Sequence, residues 1–164
     1  MKRIICACVC CLLLCSCAKS TAQIKVVTKG ISYTAHIFYN DKEYICDTVI
    51  DNSGKAEFLI TKPKNLKDFT VVFENGKVTA KYKGLQFTPD ISSMPQGAFL
   101  KELYSVHSFL ENNKYTVYKQ GEKFFVSGRA DTLDFELTLS ETGLPLEIQF
   151  SNEFNIVFSQ VSLI

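Results

Sequence analysis

Apolar and polar residues alternate along most of the chain after residue 24, which is the pattern of β-strands with one buried face. Residues 24–28 are a possible first strand, and the clearest alternations cover residues 31–39 and 131–140. Short turn signals separate the alternating segments, such as Asn75-Gly76, a dipeptide favoured in two-residue β-hairpins. Because the connections are too short for crossovers, the pattern predicts a meander of about ten antiparallel strands.

One segment has helical periodicity instead. Phe99, Leu103, Val106 and Leu110 recur at spacings of three and four, which predicts an amphipathic helix over residues 97–112. One helix cannot cover the apolar faces of ten strands, so a sheet of this size has to curl. We predict a mainly β fold in which a strongly curved antiparallel sheet forms a half-barrel, with the helix packed at its concave side. A β-sandwich is the alternative.

The N-terminal segment lacks both patterns. A short basic start precedes an apolar run over residues 4–14. This run has the length of a signal-peptide core, and it is shorter than the roughly 20 residues that a transmembrane helix needs. The segment therefore predicts export from the cytoplasm.

The apolar run ends in Leu14-Cys15-Ser16-Cys17, which resembles the lipobox of bacterial lipoproteins. The resemblance implies cleavage before Cys17, attachment of a lipid to the Cys17 thiol, and acylation, for example with palmitate. The protein would then be anchored to the extracytoplasmic face of a bacterial membrane, either the cell membrane or an outer membrane. An ordinary signal peptide, cleaved after the lipobox, is the alternative.

These features predict three segments. Residues 1–16 form the signal peptide, residues 17–23 contain the lipidated cysteine and a short tether, and residues 24–164 form a single β domain. A domain of this length can enclose one hydrophobic core.

Cysteine usage and charge exclude several kinds of site. Six of the seven cysteines lie at or before residue 17, within or next to the apolar run, and they lack the separated Cys-x-x-Cys spacing of a metal site. Cys46 alone remains in the domain and is predicted to be a buried strand residue. The 18 basic and 17 acidic residues are nearly balanced, which argues against nucleic acid as a partner.

Residues suited to catalysis are few. The two histidines, His36 and His107, are predicted on a strand and beside the apolar stripe of the helix. The sequence contains no Gly-x-Ser-x-Gly, His-Glu-x-x-His or Walker motif. Asp134 and Glu136 share the polar face of a strand, whereas a carboxylate pair for acid/base catalysis needs one member in an apolar environment that raises its pKa. We therefore predict a protein that is not an enzyme and binds no metal or cofactor.

Aromatic residues are abundant, with 13 Phe and 7 Tyr. They recur on the apolar strand faces, where they either fill a core or line a cavity for an acyl chain. The residues predicted to line such a cavity are Tyr33, Ile37, Phe58, Ile60, Phe73, Tyr82, Phe87, Leu103, Phe135, Leu137, Ile148 and Phe150.

Three segments of the sequence resemble one family. They are the meander of residues 33–61, the loop and helix that follow residue 85, and residues 137–150, in which a turn with the pattern Thr-Gly-x-Pro precedes a strand bearing an Ile. With Thr142, Gly143, Pro145 and Ile148 at the matching positions, the domain resembles the LolA/LolB-like lipoprotein-carrier superfamily. The resemblance implies a half-barrel that binds a lipid.

Together these observations favour a membrane-anchored, extracytoplasmic lipoprotein without enzymatic activity. It would bind or carry a lipid or acyl-chain ligand in the cavity of its half-barrel. The alternative hypothesis is an interaction lipoprotein that docks or stabilises another envelope protein, such as a cell-wall enzyme.

Overall fold

The structure is a computed structural model that describes residues 20–90, 95–151 and 154–164, with helix side chains from residue 99 onward. This part of the chain contains twelve strands and one α-helix, α1, at Pro95–Asn112. A single turn of 3₁₀-helix lies at Lys64–Leu66. The strands are β1 Ser20–Ala22, β2 Ile31–Tyr39, β3 Lys42–Ile50, β4 Ala56–Lys62, β5 Phe69–Glu74, β6 Lys77–Tyr82, β7 Leu85–Phe87, β8 Val117–Gln120, β9 Lys123–Ala130, β10 Leu133–Leu139, β11 Pro145–Phe150 and β12 Phe154–Leu163.

All twelve strands belong to one antiparallel sheet, in the order β1-β8-β9-β10-β11-β12-β2-β3-β4-β5-β6-β7. The sheet consists of two meanders, β2 to β7 and β8 to β12, which join where β12 pairs with β2. Ile156 lies opposite Ile37 at this junction, and both side chains are buried. The predicted antiparallel meander is confirmed, the predicted count of about ten strands was too low, and the β-sandwich alternative is wrong because the strands form one sheet.

The sheet bends around helix α1. Tyr104 of the helix stacks on Phe73 of β5 with ring centroids 4.5 Å apart, and Phe109 packs edge-on against Phe135 of β10 at 5.4 Å. These two strands are six places apart in the sheet, so about 29 Å would separate them if the sheet were flat. The helix is only about 10 Å wide. The sheet is therefore strongly curved, with the helix at its concave side, as predicted.

One glycine allows the helix to approach the sheet. Gly128 of β9 lies opposite Phe135 in the strand register. A Cβ atom at Gly128 would lie 2.8 Å from Cζ of Phe109, closer than side-chain carbon atoms can approach each other. The absence of a side chain at this position opens the space on the sheet that the Phe109 ring fills.

The hairpin between β5 and β6 follows the sequence prediction. Asn75 and Gly76 have φ angles of 50° and 72°, as a type I′ turn requires. The turn sets Phe73 opposite Val78 in the register. This pair lies at the end of the sheet where the candidate site is found.

The predicted first strand and tether differ from the structure. Residues 24–28 form no strand, because they lie across the turn between β10 and β11, where the Val27 amide donates a hydrogen bond to the Gly143 carbonyl at 3.0 Å. A Cβ at Gly143 would lie 2.1 Å from the Lys25 carbonyl oxygen, which explains the glycine of the Thr-Gly-x-Pro turn. Ser20–Ala22, predicted as part of the tether, form β1 and pair with β8.

The signal peptide and Cys17 lie outside the described residues. Within the described residues, no helix is long and apolar enough to cross a bilayer.

Candidate functional site

The residues predicted to line a cavity lie on the concave face of the sheet and on the helix. Tyr82 is partly buried beside the central cluster of apolar side chains, and Phe87 is 46% exposed on β7. The other ten belong to that buried cluster, and they are Tyr33, Ile37, Phe58, Ile60, Phe73, Leu103, Phe135, Leu137, Ile148 and Phe150. All ten side chains are buried in this cluster, so an acyl chain would reach them only if the side chains that cover them moved.

A groove opens between helix α1 and the β5–β6 hairpin, and we call it the mouth groove. Its volume is about 460 Å³, within the range of small-molecule sites. The stacked rings of Phe73 and Tyr104 contribute to its wall, together with Val78 and Pro89. Phe73 also packs edge-on against Phe58 at 5.6 Å, so this groove leads directly to the buried cluster.

Charged side chains stand around the mouth groove. Lys77 follows the hairpin turn, Lys101 lies on the helix, and Asp90 follows β7. Lys101 donates a hydrogen bond to Asp131 at 2.5 Å, which raises the pKa of its ammonium group. Lys77 is exposed and forms no salt bridge with any residue that the structure describes. The groove is thus apolar inside, and Lys77 is the rim cation that is not paired with a carboxylate among the described residues.

Sequence reasoning found Phe73 but missed the rest of the mouth groove. Lys77 and Val78 follow the Asn75-Gly76 turn as an ordinary pair of polar and apolar strand residues, and Tyr104 lies one position beyond the apolar stripe of the helix. Tyr104 is the residue from which this groove could have been predicted, because a large aromatic residue at the edge of the stripe extends the apolar surface of the helix toward one side.

Tyr33 and His107 form a buried polar contact between sheet and helix. The Tyr33 hydroxyl lies 2.9 Å from Nε2 of His107, and the two rings stack with centroids 6.0 Å apart. Nδ1 of His107 has no hydrogen-bond partner among the described residues. Burial lowers the pKa of His107 to about 4 and raises the pKa of Tyr33, so both groups are neutral at pH 7.

Cys46 is buried on β3, as the sequence predicted. Burial raises the pKa of its thiol to about 12, so the reactive thiolate is not populated at neutral pH. Cys46 therefore packs as a small apolar residue.

Ser159, His36 and Glu43 form a chain of contacts on the outer face of the sheet. The Ser159 hydroxyl lies 3.2 Å from Nε2 of His36, and Nδ1 of His36 lies 3.5 Å from the Glu43 carboxylate. The order of groups is that of a serine hydrolase triad. However, Glu43 is bound mainly by Lys62, which lowers the pKa of the carboxyl group, and a third of His36 is exposed to water. We interpret this network as a cross-strand contact that stabilises the outer face.

No protein-family model and no curated protein sequence matches this chain. Among solved structures, the LolA superfamily protein NE2245 from Nitrosomonas europaea is similar over 82% of this chain and 84% of its own, at 8% identity and a TM-score of 0.43. PNGF-II is similar over 82% of this chain and 28% of its own, at 12% identity and a TM-score of 0.37. Likenesses this low do not assign a function.

The Tyr33–His107 contact predicts a specific pH dependence of stability. His107 has a folded-state pKa of about 4, below the ordinary value of 6.5. Between pH 6.5 and pH 4, His107 therefore binds a proton in the unfolded chain but not in the folded chain. The contribution of neutral His107 to the unfolding free energy is fully present above pH 6.5 and decreases as the pH drops toward 4. Between pH 7 and pH 4, the native protein should lose about 3 kcal/mol more unfolding free energy than His107→Gln.

Urea unfolding at a series of pH values measures this difference. His36→Gln, on the half-exposed outer face, controls for the removal of a histidine. Parallel pH profiles for the native protein and His107→Gln would contradict the assignment of His107 as the buried neutral group.

Proposed function

We propose that this protein is a non-enzymatic lipoprotein, anchored through Cys17 to the extracytoplasmic face of a bacterial membrane, that binds the acyl chain of an anionic lipid. The mouth groove is the observation that carries the proposal. It combines an apolar wall, built by Phe73, Val78 and Tyr104, with the exposed ammonium group of Lys77 at its rim. An amphiphile with one negative group complements both parts.

The binding free energy expected at the mouth groove suits a ligand that the protein can both take up and release. Burying roughly six methylene groups against an apolar wall contributes about 5 kcal/mol. The charged residues at the rim add about 1 kcal/mol of binding free energy. The value is small because Lys77 is exposed to water and because Asp90 partly offsets the charges of Lys77 and Lys101. These values are compatible with uptake from a membrane and with release to another acceptor.

The mouth groove also explains how a chain would reach the residues predicted to line a cavity. Phe73 belongs both to the groove and to the buried cluster, and Leu103 of that cluster precedes Tyr104 on the helix. A ligand that separates Tyr104 from Phe73 would open the space between helix and sheet. The concave face would then hold the remainder of the chain, while the anionic group stays at the rim.

Reversing the charge of Lys77 tests the rim. Membranes that contain the full chain are incubated with a fatty acid that carries a photoactivatable diazirine, and the adducts are quantified by mass spectrometry. Lys77→Glu should reduce capture of the fatty acid about five- to tenfold, because attraction of the carboxylate becomes repulsion. Adducts on the native protein should lie in the peptides that contain Phe73 and Tyr104.

Lys81→Glu is the matched control, because Lys81 is an exposed residue of the same strand that does not line the mouth groove. A photoactivatable fatty alcohol should label the native protein and Lys77→Glu to equal extents, since it has no charge. Equal loss of fatty acid capture in the two lysine variants, or adducts confined to another surface, would contradict the proposed site.

Replacing Cys17 tests the membrane anchor. Cys17→Ala should abolish labelling by an alkyne analogue of palmitate and should release the protein from the membrane pellet, because the lipobox loses the thiol that receives the lipid. Cys15→Ala is the control: alanine is a small residue at the lipobox position of Cys15, so the lipid should remain. Unchanged labelling of Cys17→Ala would contradict lipidation at Cys17, and absence of labelling in the native protein would support the ordinary signal peptide instead.

A second candidate function is docking of another envelope protein, and the edge strand β7 favours it. Leu85 and Phe87 are 70% and 46% exposed, and among the described strands β7 pairs with β6 alone. An extended segment of a partner could add to this edge. Gln86→Pro removes one backbone donor of β7, so co-purification of a stoichiometric partner with the native protein, and its loss in Gln86→Pro, would support docking.

A further inference from the structure

A second recess, which we call the outer groove, lies at one end of the sheet, where side chains of its outer face meet Tyr39 and Phe154 of its concave side. Its volume is about 710 Å³, and it lies beside the turn that connects β2 and β3. Phe38 projects into it from β2 and remains 45% exposed, although most aromatic rings of this protein face the concave side. The amide side chains of Gln149 and Asn155 also line it.

The strand register places these side chains in one row. Gln149 of β11 lies opposite Asn155 of β12, Asn155 lies opposite Phe38 of β2, and Phe38 lies opposite Glu43 of β3. Neighbouring strands are about 4.8 Å apart, so the four side chains span about 14 Å. An exposed ring therefore stands in line with hydrogen-bonding groups on both of its sides.

The charges around the outer groove offset one another. Glu43 is bound by Lys62, and the acidic Asp41 is followed in the chain by the basic Lys42. An ion would gain little here, whereas the Gln149 and Asn155 amides can both donate and accept hydrogen bonds. The site thus suits an uncharged ligand that carries several hydroxyl groups.

The sheet topology argues against an extended peptide at this position. The four strands that form the row, β11, β12, β2 and β3, are each paired with a strand on both sides. Their backbone donors and acceptors are therefore engaged, and a peptide could not add to them as a strand.

We infer that the outer groove binds a neutral oligosaccharide through the row formed by Gln149, Asn155, Phe38 and Glu43. The apolar face of one sugar ring packs on Phe38. Hydroxyl groups of the adjoining sugar rings bond to the two amides on one side and to the Glu43 carboxylate on the other. No residue lines both the outer groove and the mouth groove, so the protein would contact a surface glycan and a lipid at separate sites.

Calorimetric titration of the full chain, in a detergent without sugar groups, tests this inference. The probes are tetramers of β-1,4-linked glucose, β-1,4-linked N-acetylglucosamine and α-1,4-linked glucose. At least one should bind, and Phe38→Ala should weaken that binding about tenfold or more. Asn155→Ala is a second variant that should weaken it as well, through loss of hydrogen bonds.

Val157→Ala is the matched control, because Val157 is also exposed on the outer face of β12 but does not line the groove. Equal thermal unfolding midpoints of the variants show that each is folded. The inference is overturned if none of the three tetramers binds at about 10 mM, or if Phe38→Ala and Asn155→Ala bind as tightly as Val157→Ala. A protein partner lost in Phe38→Ala, without any saccharide binding, would overturn it in favour of protein docking.

Discussion

The packing of twelve strands around a single helix determines the rest of this structure. The apolar faces of the strands have helix α1 as their main cover within the described residues, so the sheet has to bend until strands from both meanders contact it. Phe73 and Phe135 reach the helix from strands six places apart. The helix cannot fill the whole concave side, and the mouth groove remains where it separates from the β5–β6 hairpin.

The same constraint gives the two faces of the sheet different chemistry. On the concave side, the polar contact between Tyr33 and His107 is buried among apolar side chains, and burial keeps both groups neutral. On the outer side, Glu43 binds Lys62 and His36 in contact with water. An apolar ligand therefore belongs on the inner side, and a hydroxylated ligand belongs on the outer side.

Much of the fold could be predicted from the sequence because one buried face imposes a period of two on each long strand. The helix was predicted from the spacing of Phe99, Leu103 and Val106. Residues 24–28 were predicted wrongly, because their apolar residues serve contacts with a turn and not a strand pairing. The short strand β1 could not be predicted, since edge pairing with β8 leaves little trace in three small residues.

The candidate site was harder to predict because it depends on contacts between distant parts of the chain. Phe73 was identified from its apolar strand face, but its stacking on Tyr104 depends on the curvature of the sheet. Lys77 has the pattern of any exposed hairpin residue, and its position at the groove follows only from where the helix lies. The row of side chains in the outer groove likewise requires the pairing of β12 with β2. These two strands are more than 100 residues apart in the sequence.

We propose that the protein holds a lipid in addition to a covalent anchor at Cys17. Native mass spectrometry of the full chain, extracted gently from its own membrane, measures this directly. The account predicts an added, non-covalent mass that matches an anionic lipid and dissociates on collisional activation. The acylated polypeptide alone, with no added mass even after incubation with fatty acid, would contradict it.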